Sequence, residues 1–251
     1  MAELDIERII AGTSVDEAVW ELRPDYRVGL LVVDGLEPGE SDATSEAMLQ
    51  EAEASARAAL ASGAVTDIPH VAAWREAYQA FGAKPSKYRS SVEALLRRAE
   101  GGLPRVNRLT DVYNAVSVKH QIPLGGEDLR GYVGLPQLVR ATGGESFDTF
   151  AAGEPVVEHV DAGEVVWRDD EGVTCRRWNW RQCRRTQLRG DTTTALFILD
   201  VLAPVADSEL DAALDALTAA LEAFGPEVRT ARRVISPLNA SAPLTGKRSL
   251  A

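Results

Sequence analysis

The sequence is poor in the side chains that most often announce a chemistry. Its 251 residues hold two cysteines, two methionines and three histidines. Cys175 and Cys183 stand with no C-x-x-C spacing and no histidine cluster beside them, so a zinc site or dithiol redox pair has no support and both read as structural thiols. His70, His120 and His159 are scattered singly, and each reads first as a structural histidine. No H-E-x-x-H, G-x-G-x-x-G, G-x-x-x-x-G-K-[ST] or G-x-S-x-G occurs, which leaves metalloprotease, dinucleotide, P-loop and serine-hydrolase readings without an anchor. No apolar run approaches the ~20 residues that span a bilayer. The start, MAELDIERII, lacks the basic residues, long apolar stretch and cleavage site of a signal peptide. The expectation is a cytoplasmic protein with no membrane association, no metal, no cofactor and no obligate protein partner.

What is present is an uneven distribution of charge. The net charge is −11, which on its own argues against a nucleic-acid partner. Residues 1–72 contain fifteen acidic and four basic side chains, so this segment alone accounts for −11 and the remainder balances to zero. Within that remainder the bases cluster. Arg176, Arg177, Arg181, Arg184, Arg185 and Arg189 follow one another with no acid between them, and Lys84 to Arg108 is a second basic group interrupted by Glu93 and Glu100. A locally basic face on an acidic protein is one reading; pairing of these arginines with the acidic first third is the other.

Hydrophobic patterning predicts an α/β (α+β) domain over residues 1–235, built on a mixed β-sheet flanked by helices, with a tail at 236–251. VGLLVVDG (28–35) reads as a buried central strand, and TTALFILDVL (193–202) as another. Residues 42–61 read as a helix, as does 70–81 with Val71, Trp74, Tyr78 and Phe81 on one face and Gly82 as the stop. Shorter helices are expected around 90–99 and 109–118. Ser208 is the expected cap of a helix carrying Leu210, Leu214, Leu217, Leu221 and Phe224. Residues 123–150 read as glycine-rich loop. GEVVWRDDEGVTCRRWNW reads as a hairpin whose second strand would place Arg176, Trp178 and Trp180 on one face, and Arg177, Asn179 and Arg181 on the other.

The blocks AWREAYQAFGAKPSKYRSSVEALLRR, GGLPRVNRLTDVYNAVSVK, IPLGGEDL and GEVVWRDDEGVTCRRWNWRQCRRTQLRGDTTTA occur in that order over residues 70–202. Together they resemble the free-standing B3/B4 domain, the editing module of the phenylalanyl-tRNA synthetase β chain. The resemblance implies a pocket that hydrolyses the ester of a wrong amino acid on tRNA. It carries Asn107, Asp111 and Asn114 onto the family's pocket helix, and sets Arg105 one residue from an upstream family arginine. The family's pocket histidine is replaced by Gly125, and no glutamate occupies the strand that reads a tyrosine hydroxyl. Tyrosine selectivity is therefore not implied. Asp128 and Thr192 match family positions.

On that resemblance, the expected catalytic group is Thr192, which with Thr193 or Thr194 and neighbouring N–H groups would orient the water or ester, while Asp191 or Asp128 supplies a carboxylate near the amino group. Asn107, Asn114, Glu127, Gly125, Thr194 and Asn179 would bind substrate. Arg105, Arg181, Arg184, Arg185 and Arg189 would contact phosphates of the tRNA acceptor end. Either Trp178 or Trp180 would stack on the terminal adenosine unless both are core. Removal of canavanine from the tRNA for arginine is the implied activity. The alternative is a tRNA- or RNA-binding module that has lost hydrolysis.

Overall fold

The structure, a computed structural model, describes residues 5–240. Seven α-helices and eleven strands alternate along them. The chain opens with α1 (Ile6–Gly12), β1 (Ser14–Val15), α2 (Glu17–Leu22) and β2 (Arg27–Asp34). Four helices follow, α3 (Ala43–Leu60), α4 (Pro69–Ala80), α5 (Ser91–Leu96) and α6 (Arg108–His120). The second half is mainly β: β3 (Leu124–Asp128), β4 (Gln137–Arg140), β5 (Ser146–Ala151), β6 (Glu154–His159), β7 (Val165–Arg168), β8 (Val173–Arg176), β9 (Arg181–Gln182) and β10 (Thr194–Val201). It ends with α7 (Asp207–Glu222) and β11 (Arg229–Ile235). The fold is α+β.

The strands form an antiparallel four-stranded sheet in the order β11-β2-β10-β3, a mixed five-stranded sheet in the order β1-β4-β7-β8-β9, and the ribbon β5-β6. The continuous apolar runs of β2 and β10 are explained by their position. Both are internal strands covered on two faces, and every residue of β10 is buried. On one side Leu210, Leu214, Leu217 and Leu221 of α7 pack with Leu31, Val33 and Phe197. On the other, Trp74, Tyr78, Trp167 and Trp178 pack with Val28, Leu30, Val32 and Ile198.

Helix starts follow from side-chain caps. Asp42 accepts from Ser45 N at 2.8 Å, Ser90 from Glu93 N at 3.4 Å, and Asn107 from Thr110 N at 2.8 Å. α7 begins two residues earlier than expected. Ala206 is its N-cap, and the Glu209 carboxylate accepts from Ala206 N at 2.7 Å, so Ser208 is not the cap.

Two expectations fail for physical reasons. Residues 123–150 contain three strands rather than loop. Gly126 lies mid-strand, where a Cβ would come within 2.6 Å of the Leu188 side chain and 2.8 Å of Phe197. That glycine allows close packing and does not mark a turn. The predicted alternation across 176–181 also breaks, because Arg177 (φ 47°) and Trp178 (φ 66°) adopt left-handed backbone after β8 ends. Trp178 turns into the core between Tyr26 and Trp74, at centroid distances of 5.0 and 5.2 Å. Trp180 remains half-buried. Of the predicted tail, residues 236–240 form a turn, Asn239 accepting from Ser236 N at 2.8 Å. Residues 241–251 lie outside the described residues.

His70 fastens α4 to the end of β10. Its Nε2 accepts from Trp74 Nε1 and from Leu202 N, each at 3.1 Å, while Nδ1 lies 2.9 Å from the Gln121 carbonyl. This pattern requires a neutral ring protonated at Nδ1. Burial pushes its pKa down to about 4. The unfolded chain takes up this proton near pH 6.5, so the contribution to stability is complete above that pH and disappears as pH falls towards 4, a loss of up to ~3 kcal/mol. Denaturant titrations between pH 7 and pH 4.5 should show the wild type losing stability relative to His70→Gln as pH falls.

Candidate functional site

Antiparallel pairing of β3 with β10 sets Glu127 opposite Leu196 and Gly125 opposite Ile198. Strand alternation turns Gly125, Glu127, Ile198 and Asp200 to one face, and all four line a cavity of about 550 Å³. The remaining walls come from α5, α6, Trp167 of β7, Cys175 of β8, the turn at 178–180, and β9. A volume of this size suits a small-molecule group.

The floor is acidic. Asp200 accepts from Tyr26 Oη at 2.6 Å and from Asn179 Nδ2 at 3.3 Å. Burial outweighs these bonds and pushes its pKa up to about 7. Trp167 Nε1 faces this carboxylate closely enough to favour its charge but without a hydrogen bond of normal geometry. Glu127 accepts from Tyr132 Oη and, again because of burial, is pushed up to about 7. Cys175 feels both carboxylates. Burial first, then these two negative charges, drives its thiol well above the usual range, so it is not a thiolate nucleophile.

Amides and cations complete the lining. Asn179 Oδ1 accepts from Tyr78 Oη at 3.0 Å, which orients its Nδ2 toward Asp200. Gln182 Nε2 donates to the Gly126 carbonyl at 2.7 Å, leaving its oxygen as an acceptor, and Asn114 stands on the wall. The exposed part of the lining carries Lys87, Arg97 and Arg98, joined by the half-buried Arg89 and Arg181. The site is therefore acidic below and basic above.

Five buried side-chain polar atoms among the described residues lack a hydrogen-bond partner. Four of them, Arg89 Nε, Ser91 Oγ, Trp167 Nε1 and Trp178 Nε1, belong to residues of this cavity. No group of three histidine, cysteine or acidic side chains among the described residues could hold a metal ion.

The expected site residues are divided by the structure. Glu127, Gly125, Asn114, Asn179 and Arg181 meet in the cavity lining. Thr192, Asp128 and Asp191 form a separate cluster that is not part of it. There Thr192 Oγ1 donates to Asp128 at 2.7 Å and accepts from Arg189 N at 2.9 Å. Arg130 bridges Asp128 at 2.8 Å and the exposed Asp191 at 3.5 Å. Asn107 caps α6, and Thr194 donates to Asp34 at 2.6 Å. Arg105 is held by Glu46 and Glu53, Arg184 by Asp148 at 3.0 Å, and Arg185 by Asp169 at 2.7 Å. Arg189 is exposed.

Asp200 and Gln182 were not singled out from sequence, whereas Lys87, Arg97 and Arg98 belong to the basic group between Lys84 and Arg108. For Asp200 a signal existed, since an acid near the end of the otherwise apolar run ALFILDVL needs a reason to be there. Nothing local marks Gln182.

The family profile for the B3/4 domain matches residues 73–225, a span that includes every cavity-lining residue. No curated protein matches the sequence. Among solved structures, the crystal structure of an N-terminal fragment of the phenylalanyl-tRNA synthetase β-subunit from Pyrococcus horikoshii is similar at a TM-score of 0.44 and 14% identity. The match covers 87% of this chain and 49% of that one, so this chain spans about half the fragment's length.

Because Glu127 and Asp200 titrate higher folded than unfolded, their contribution to stability is complete below about pH 4 and is lost as pH rises through 7. Thermal melts between pH 5 and pH 8 should show the wild type losing stability relative to Glu127→Gln and to Asp200→Asn as pH rises.

Proposed function

This chain belongs to the B3/4 domain family, and from that premise we propose that it is an aminoacyl-tRNA deacylase of the cytoplasm, acting on the ester of a mischarged basic amino acid. The observation that carries the reading is a single cavity with two buried carboxyls below and a ring of cations above. An esterified basic amino acid presents two cationic groups, the α-ammonium and the side chain, beside a polyanionic RNA end. The floor suits the first pair and the rim the second.

The carboxyls also explain how such a floor is tolerated when no cation is bound. Near pH 7 each exists partly as the neutral acid, and an arriving cation draws it into the charged form and releases a proton. Hydrolysis requires a base. Glu127 or Asp200, poised near 7 by burial, takes a proton as water attacks the ester carbonyl carbon; the carbon–oxygen bond to the ribose breaks and that oxygen is protonated. The aminoacyl ester is already activated, so positioning and oxyanion donors supply most of what remains. In this scheme the Thr192–Asp128 bond holds the 186–192 loop against β3 and does not face the reacting atoms.

Among basic amino acids we favour canavanine. It carries an oxygen where arginine has a methylene, and a wall amide such as that of Asn114 or Gln182 offers the polar contact through which one such atom is distinguished. A non-catalytic RNA-binding module is the second reading. It is favoured by the commitment of Thr192 and Asp128 to each other and by the lack of a cavity histidine.

The test is deacylation by purified protein of tRNAs charged with canavanine, arginine, lysine, tyrosine and phenylalanine. Canavanyl-tRNA should be hydrolysed fastest, with Glu127→Gln or Asp200→Asn lowering kcat/KM at least ~10-fold and Thr192→Ala retaining most of it. KM for the basic substrate should fall as pH rises from 6 to 8, since ionised carboxyls bind the cation. Binding without turnover of any of the five would favour the module.

A further inference from the structure

The carboxyls account for the floor of the cavity and leave its rim unexplained. On the rim, Glu93 is buried, at 1% exposure, yet receives three arginines: Arg75 at 2.9 Å, Arg97 at 2.9 Å and Arg89 at 3.7 Å. One carboxylate cannot neutralise three guanidinium groups, so a positive surplus is fixed in place. Lys87 and Arg98 add to it, with no ion pair to either among the described residues. On a chain of net charge −11, this is a local field of the opposite sign, held rigid by a buried anchor.

Beside these cations stands Trp180, the half-buried tryptophan of the lining, in contrast to Trp167 and Trp178, which are sealed in the core. Its ring is set by Tyr88, which packs edge-on at 4.9 Å and 77°, and by Arg177, whose guanidinium lies 3.8 Å from the Tyr88 centroid and 4.7 Å from that of Trp180. Arg177 is in turn held by left-handed backbone, at φ 47°. The indole is thus pre-positioned at the mouth of a polar cavity, next to a fixed cluster of phosphate-seeking groups.

We propose that this rim is a binding site for the last unpaired nucleotide of an RNA strand, Trp180 stacking its base while Lys87, Arg97 and Arg98 hold its phosphates. The inference rests on the deacylase reading, in which the ribose of that nucleotide carries the ester over Glu127 and Asp200. Stacking is tolerant of sequence and strong enough to register one base, and the phosphate contacts carry the salt dependence. The rim cations replace Arg105, Arg184 and Arg185, which are occupied by internal carboxylates, as the groups that face the RNA.

The experiment compares binding of an uncharged RNA minihelix ending in CCA with the same RNA trimmed to CC. Wild type should lose about tenfold in affinity on trimming. Trp180→Ala should bind both RNAs equally, at the wild-type affinity for the trimmed one, whereas Trp180→Phe should keep most of the difference. Lys87→Ala with Arg98→Ala should weaken both RNAs and lower the slope of log affinity against log salt by roughly 1.4, about 0.7 per phosphate. Melting curves confirm that each variant is folded. A folded Trp180→Ala that still distinguishes the RNAs as wild type does overturns the base contact, and an unchanged salt slope overturns the phosphate contact. Wild type that hydrolyses mischarged tRNA but is indifferent to trimming sinks this inference alone; wild type that neither binds these RNAs nor hydrolyses any charged tRNA sinks the deacylase reading with it.

Discussion

A single buried carboxyl, Asp200, ties the two sheets of this protein together. It sits near the end of an internal strand whose other residues are apolar or fully covered. Its two oxygens are taken by Tyr26, leading into β2 of the four-stranded sheet, and by Asn179, in the turn that ends the β7–β8 hairpin of the five-stranded sheet. Asn179 passes the connection to Tyr78 on α4. An apolar residue at position 200 would leave two buried hydroxyl and amide groups facing nothing. The carboxyl therefore aligns the elements that wall the cavity while supplying part of the cavity's chemistry.

A second organising feature is the spatial sorting of charge. The acids of the first 72 residues are spent partly on the arginines that the sequence makes conspicuous. Glu46 and Glu53 engage Arg105, and Asp42 engages Arg108 at 3.0 Å. Other conspicuous arginines find acids nearby: Arg176 is held by Glu164 and Glu158, each at 2.8 Å. At the mouth of the cavity, Lys87, Arg98 and Arg181 have no ion pair to a carboxylate among the described residues. Arginine-rich sequence thus serves two unlike purposes, internal bracing and an outward field, and which arginine does which depends on carboxylates distant in the chain.

That dependence explains what could be read in advance. The class of the fold, the internal strands at 28–35 and 193–202, and the helices at 42–61 and 70–81 rest on local periodicity and caps, and local signals are visible in a sequence. Gly125, Glu127, Asn114, Asn179 and Arg181 were reachable through the order of recognisable blocks. The turn at 177–178 was not, because two non-glycine residues with positive φ contradict local preference and are held by rings on other segments, Arg177 by Tyr88 and Trp178 by Tyr26 and Trp74. Nor was the separation of Thr192 from the cavity. Adjacent residues on β3, Glu127 and Asp128, face opposite sides, and only the strand's orientation decides which of them the threonine meets.

The strand order has a meaning in time as well as in space. β2 is made early, but its two neighbours, β10 and β11, lie far ahead in the chain: Thr194 bonds Asp34 across 160 residues, and Arg229 bonds it across 195. During synthesis an apolar strand must wait with both edges unpaired while the 160 residues to its first partner emerge, a state that invites wrong pairings. Because β10 also brings Asp200 to the floor, the cavity and the central sheet come into being in the same late event. A nascent chain holds neither in part.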